Sequence, residues 1–223
     1  TSLSMEATDV RPTRLEAAKR AARTFIDQLP RAVRLGAVAY SDVPDAVQAP
    51  SSDHDEASRI VAEQAADGST ATGEALQVAI DQLRRERREG KRPPAAIVLL
   101  SDGKTTSGRD PVEVAREAGR LKIPVFTVAL GTSGGVLPSP VPYAPPISVA
   151  PDPETLQRIS SVSGGRAFTA EDDDELSSIY KRLGSRLGTR KEQREITAAF
   201  AAGGLVLLLG AGLASLRFAG RLP

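Results

Sequence analysis

Two uninterrupted apolar runs, AAIVLL at residues 95–100 and PVFTVAL at 124–130, constrain most tightly what this chain can fold into. A strand that is apolar without alternation is covered on both faces, as in parallel sheets flanked by helices. Segments with helical periodicity surround these runs. Residues 14–29 place Leu15, Ala18, Ala22, Phe25, Ile26 and Leu29 on one face, and 74–88 turn Leu76, Ala79, Ile80 and Leu83 inward. Further helices are expected over 54–66, 111–121, 154–161 and 172–187. Strands are expected over 34–40, at an edge over 46–48, and over 166–169. The proline-rich stretch 131–151 reads as an irregular loop or hairpin, unsuited to a central strand. The expected class is therefore α/β: a doubly wound, mostly parallel sheet with helices on both faces. Ligands of such folds sit at the carboxyl ends of the strands.

Composition narrows the chemistry. With 29 Lys and Arg against 28 Asp and Glu, the net charge of +1 leaves no global basic field for nucleic acid. Cysteine is absent, which excludes disulfides, thiolate zinc sites and cysteine nucleophiles. The one histidine, His54, excludes a multi-histidine metal centre, and its place in SSDHDEAS reads as a solvated helix start. No Walker loop, dinucleotide fingerprint or GxSxG elbow is present.

One segment departs from this soluble average. Residues 196–216, ITAAFAAGGLVLLLGAGLASL, carry no charge. As a helix they would extend about 31 Å, enough to cross the hydrocarbon of a bilayer. The expected organisation is a folded domain over 1–187, a juxtamembrane linker over 188–195, a membrane span over 196–216 and a short basic tail over 217–223. Six cations from Lys181 to Arg194 precede the span and two arginines follow it. Charge alone would keep the domain cytoplasmic, but long domains translocate largely regardless of such charges. The side is left open, with an integral cell-membrane protein bearing an extracytoplasmic domain preferred.

Three segments fall where strands should end: TSLSM at 1–5, GSTATG at 68–73 opening a helix, and SDG at 101–103 after the AAIVLL run. Hydroxyls and a carboxylate converging at one sheet edge are hard oxygen ligands, suited to Mg²⁺, Mn²⁺ or Ca²⁺. In these motifs the chain resembles the von Willebrand factor type A (VWA) domain with its metal-ion-dependent adhesion site. That family's pattern is Asp-x-Ser-x-Ser, a threonine in a Gly-rich loop, and an aspartate in a Ser/Thr-Asp-Gly turn. Ser2 and Ser4 match the serines, Thr70 the threonine and Asp102 the later aspartate. TGEAL at 72–76, SDGK at 101–104, the ATDVRPTRLEAAK run at 7–19 and the C-terminal span strengthen the likeness to bacterial membrane-anchored members.

The resemblance implies Ser2 and Ser4 as direct metal ligands, Thr70 as a direct or water-mediated one, and Asp102 acting mostly through water. An open position would then take a carboxylate from a partner's Asp or Glu. Partners of such families include AAA+ ATPases and envelope-assembly components. The family's first aspartate and the apolar central strand that carries it would stand ahead of Thr1. The expectations are thus a sheet lacking that strand, weak metal binding and reduced stability.

Each residue also has a plainer reading. Ser2, Ser4 and Thr70 taken singly are ordinary caps or turn residues. Glu74 either supports the metal ligands from behind or faces its helix dipole, the latter favoured. Asp9 with Arg14 reads as a structural ion pair. The basic run Arg84, Arg85, Arg87, Arg88, Lys91 and Arg92 reads as a solvated helix end, with contact to anionic lipid as the alternative. A Mg²⁺-dependent phosphoryl-transfer hydrolase using the same site is the alternative function, although it lacks an evident general base.

Overall fold

The computed structural model describes residues 2–86, 93–101, 105–139, 141, 143–170 and Ser178. A short 3-10 turn at Leu3–Glu6 leads into α1 (Arg14–Gln28), β1 (Leu35–Tyr40) and β2 (Pro44–Ser51). Helices α2 (Asp55–Glu63) and α3 (Thr72–Arg85) precede β3 (Ile97–Ser101), α4 (Pro111–Arg120) and β4 (Val125–Leu130). A small hairpin, β5 (Val136–Leu137) with β6 (Ile147–Ser148), is followed by α5 (Pro153–Ser163) and β7 (Ala167–Ala170).

Local chemistry explains the helix starts. Thr13 caps α1 by accepting from the Glu16 N–H at 3.2 Å. Asp110 and Asp152 do the same for α4 and α5, each followed by a proline whose fixed φ suits the first helical position. Helix α5 ends at Gly164 with φ +80°, a left-handed position that costs glycine little.

Strands β3, β4 and β7 form a parallel sheet in the order β3-β4-β7, while β1 and β2 form a separate antiparallel ladder with register shifts near both ends. In β3 the period-2 alternation splits the core. Val98 and Leu100 join α1, Phe126, Val128, Leu130 and Phe168 on one face. Ile97 and Leu99 join Leu76 and Ile80 of α3, with α4, α5, Val125 and Ala129, on the other. Helices thus cover both faces, as the two apolar runs imply. The edge strand β2 is longer than the three residues expected and tolerates Pro44 and Pro50 because it has ladder bonds on one side only.

Among the described residues, no strand lies between β1 and β3. Both strands line, along their whole length, a cleft of about 360 Å³. Its other walls come from α1 (Leu15, Ala18, Phe25), α2 (Ala57, Ile60) and α3 (Leu76, Leu83).

Helix α3 ends at Arg85, short of the expected residue 88. Of the expected helix 172–187, only Ser178 is described, in helical conformation. The linker at 188–195, the apolar run at 196–216 and the tail lie outside the described residues. Among the described residues no helix is long and apolar enough to cross a membrane. His54 is not simply solvated: its ring Nε2 lies 2.9 Å from the Val33 carbonyl oxygen, tying the start of α2 to the segment entering β1.

Candidate metal site at the carboxyl edge of the sheet

The loop before α3 organises the carboxyl edge. Gly68 takes φ +69°, and a Cβ there would lie 2.8 Å from an Asp42 carboxylate oxygen. Asp42, in the turn after β1, accepts from the Ser69 N–H at 2.7 Å and from the Ser69 hydroxyl. The Ser69 hydroxyl and N–H together hold the Asp42 carboxyl below the usual carboxylate range. Thr70 and Thr106 bond reciprocally: Thr106 Oγ1 accepts from the Thr70 N–H at 2.9 Å, and the Thr106 N–H donates to the Thr70 carbonyl at 3.0 Å. The Ala71 N–H donates to the Ser41 carbonyl at 2.8 Å. The loop thereby joins the segments leaving β1 and β3.

Ser2 and Ser4 come together here, their hydroxyl oxygens 2.6 Å apart. Leu3, between them, touches the same loop, its N–H donating to the Gly68 carbonyl at 3.4 Å. Ser2 and Thr70 both line the cleft between β1 and β3. The structure therefore assembles three of the four metal-ligand candidates at one edge. Asp102 lies outside the described residues, immediately after Ser101 at the end of β3.

Glu74 points elsewhere. Its Oε1 lies 3.3 Å from Arg109 Nε and accepts from the Arg109 N–H at 3.3 Å, so it pins the loop before α4. It stands in the first turn of α3, where an acidic side chain suits the helix dipole. The carboxylates Asp42 and Glu74 are thus both engaged by protein groups. Among the described residues no three His, Asp or Glu side chains cluster as a metal site.

The donor chemistry fits a hard cation nonetheless. Ser2, Ser4 and Thr70 offer neutral oxygens, the donor type Mg²⁺ and Mn²⁺ prefer over nitrogen or sulfur. Two further hydroxyls close by in sequence, Thr72 Oγ1 at the start of α3 and Thr105 Oγ1 in the loop after β3, are buried without a hydrogen-bond partner. Buried polar atoms rarely stay unpaired, so this edge has unmet capacity for an ion or water.

Sequence reasoning missed Asp42, Ser69 and Thr106, which shape the loop that presents Thr70. The available signal was the SDVPD turn directly after β1, at the sheet edge where function was sought. The Asp9–Arg14 pair is structural, as expected. Arg14 is fully buried, donating through Nε to Asp9 Oδ1 at 2.8 Å, through NH2 to Oδ2 at 2.7 Å, and through NH1 to the Val149 carbonyl at 2.9 Å.

The sequence model of the von Willebrand factor type A domain matches residues 1–182. The chain belongs to the VWA domain family. The UPF0353 protein of Nocardia farcinica is 30% identical over 238 residues, covering 100% of this chain and 71% of that protein. The UPF0353 protein MAV335 of Mycobacterium avium is 34% identical over 227 residues, covering 94% of this chain and 65% of that one. Among solved structures, BatB from Bacteroides thetaiotaomicron has a TM-score of 0.70 at 24% identity, covering 83% of this VWA chain and 94% of that one. An aerotolerance-related membrane protein from Bacteroides fragilis gives 0.69 at 22%, with the same coverage. Proximal thread matrix protein 1 from the mussel byssus, solved with a zinc-occupied adhesion-site motif, gives 0.55 at 15%, covering 81% and 43%. These structures show that the VWA fold is shared.

Proposed function

We propose that this protein is a membrane-tethered VWA domain that binds a divalent cation through Ser2, Ser4, Thr70 and Asp102 and uses it to hold an acidic side chain of a partner protein. The observation that carries the reading is the pair of Ser2 and Ser4 hydroxyls at 2.6 Å, against the loop that presents Thr70. The zinc-occupied motif of the mussel VWA protein supports divalent metal binding in general. Mg²⁺ or Mn²⁺ suits an all-oxygen set, with Ca²⁺ the remaining option. Bound there, the ion would supply an electrophilic position for a carboxylate. Because Ser2, Ser4 and Thr70 are neutral, they would leave that charge largely unspent.

The partner would present an exposed Asp or Glu; an AAA+ ATPase or an envelope-assembly component is the class the family likeness suggests. The uncharged run 196–216 and the membrane-protein description of the Bacteroides fragilis neighbour support a membrane location; the proposal takes the protein as integral to the cell membrane with its domain extracytoplasmic. The reading is of a binding module rather than an enzyme.

Calorimetry on the detergent-solubilised chain tests it. Mg²⁺ and Mn²⁺ should bind saturably, at one ion per chain. Ser2→Ala, Ser4→Ala, Thr70→Val or Asp102→Asn should each weaken binding about tenfold or more. A glutamate-bearing peptide should bind only when metal is present. Absence of metal binding to the unaltered chain, or variants that bind as it does, would overturn the reading.

A further inference from the structure

Residues 131–151 carry no charge, in a chain of which 26% is charged, and 138–146 hold five prolines in nine positions. Four of the seven large hydrophobic side chains exposed among the described residues fall here: Val136, Val141, Tyr143 and Ile147. Tyr143 is fully exposed, and its φ of +65° is a left-handed conformation that residues other than glycine rarely adopt. The Ala144 N–H closes the turn around it by donating to the Val141 carbonyl at 3.2 Å. The exposed ring returns no packing within the chain for that backbone cost, and such strain is typical of binding sites.

The root of this segment is fixed. Val136 pairs with Ser148 and Leu137 with Ile147, making β5 and β6 its stem. Below the stem, the Val149 N–H donates to the Gly135 carbonyl at 2.9 Å and the Val149 carbonyl accepts from Arg14. The Thr132 N–H donates to Asp9 at 2.7 Å. Arg14 is fully buried, so both ends of the loop are tied to the core. Each proline has a single φ and holds the residue before it extended, so 137–146 has little freedom left to lose on binding.

The same prolines select the partner. Residues 138–146 carry nine carbonyls but four N–H groups, and those of Val141 and Ala144 bond within the segment. Such a backbone cannot add as a strand to a sheet edge, which needs donors at alternate positions. A bilayer would cover the apolar side chains but leave the carbonyls unbonded in hydrocarbon. A protein groove lined by aromatic rings meets both needs. Ring faces cover proline and aliphatic side chains, while Trp N–H and Tyr O–H groups donate to the carbonyls. A second copy of this chain is a poor source of that groove, having no Trp and having Phe25, Phe126 and Phe168 packed in the core.

We infer that the 136–147 hairpin is a docking element for a separate protein, whose aromatic-lined groove takes Tyr143 as the central anchor, flanked by Pro138, Val141, Pro145 and Pro146. Tyrosine suits a central anchor because it brings a large, stiff contact surface with a polar tip. The groove is uncharged where it meets the loop, since the loop offers no ion to pair with a buried charge. This inference does not depend on metal binding.

The test places the photocrosslinking amino acid p-benzoylphenylalanine at position 136 or 147 of the full chain, in the cells that naturally make it, with position 47 on β2 as the control. Irradiation should join both hairpin positions, and not the control, to one other protein at peptides bearing Trp, Tyr or Phe. Tyr143→Gly removes the ring and relieves the left-handed backbone. It should cut the crosslink about tenfold or more while leaving the melting temperature of the purified chain unchanged or raised. Tyr143→Phe keeps the ring and should retain most of the crosslink. EDTA added to isolated membranes before irradiation should leave the crosslink intact. Crosslinks to lipid, which would mean a bilayer contact, or to a second copy of this chain would overturn the inference. So would a joined surface without aromatic side chains, a crosslink that survives Tyr143→Gly, no crosslink at all, or its loss in EDTA, which would assign the contact to the metal site.

Discussion

Replacing Asp9 with asparagine isolates the charge of a buried pair that joins three distant segments. Asp9 is held by Arg14 and by Thr132, whose N–H donates at 2.7 Å and whose hydroxyl lies at 3.2 Å. Burial alone would raise the Asp9 pKa. The hydrogen bond from Arg14, the Thr132 N–H, the Arg14 charge and the Thr132 hydroxyl outweigh it and lower the value from 3.8 to about 2. A depressed folded-state pKa contributes stability that is present above the unfolded value and lost as pH falls through the folded one. A drop of nearly two units corresponds to about 2.5 kcal/mol in full, of which about 1 kcal/mol is already lost at pH 3. At neutral pH, Asp9→Asn strands the buried Arg14 guanidinium and should cost roughly 3–5 kcal/mol. The variant lacks the titrating group, so its deficit against the parent should narrow by about 1 kcal/mol between pH 6 and pH 3. Urea unfolding of both proteins at several pH values in that range, followed by circular dichroism, measures this. A deficit independent of pH would refute the assignment of stability to the Asp9 charge.

Three other outcomes follow from the packing. A Cβ on Gly135 would lie 2.2 Å from Arg14 NH2, so Gly135→Ala should lower stability by about 1–3 kcal/mol, read as a reduced urea midpoint. Leu76 is 2% exposed in the core formed by α3, α4 and α5, and Leu76→Ala should cost about 2–5 kcal/mol in the same assay. A chain anchored through 196–216 should stay in the membrane pellet under alkaline carbonate, and deletion of 196–223 should release it, as blotting of the two fractions would show.

Much of the element order was legible because its signals are local. The AAIVLL and PVFTVAL runs became β3 and β4 with the expected two-sided burial, and the 131–151 loop contains the short hairpin of β5 and β6. Residues 14–29 became α1, whose amphipathic spacing needs no knowledge of what it packs against. What escaped depends on contacts across long sequence separations. The bond between His54 and the Val33 carbonyl spans 21 residues, and Arg14 reaches Val149 across 135. No periodicity encodes such pairs. Thr127 illustrates another blind spot: it sits inside an apolar run, fully buried, because its hydroxyl donates to the Leu156 carbonyl at 3.0 Å. For the site, the motifs pointed to Ser2, Ser4 and Thr70 at one edge. The scaffolding by Asp42, Ser69 and Thr106 was invisible, since hydrogen-bonded turns between separate loops leave no spacing to read.

The Arg14 guanidinium also has a mechanical consequence. It bonds Asp9 five residues back and the Val149 carbonyl 135 residues on, fastening two stretches far apart in the chain at one buried point. A chain pulled in an optical trap should therefore release a discrete length when this fastening gives way, and Arg14→Met should lower the force at which it does so.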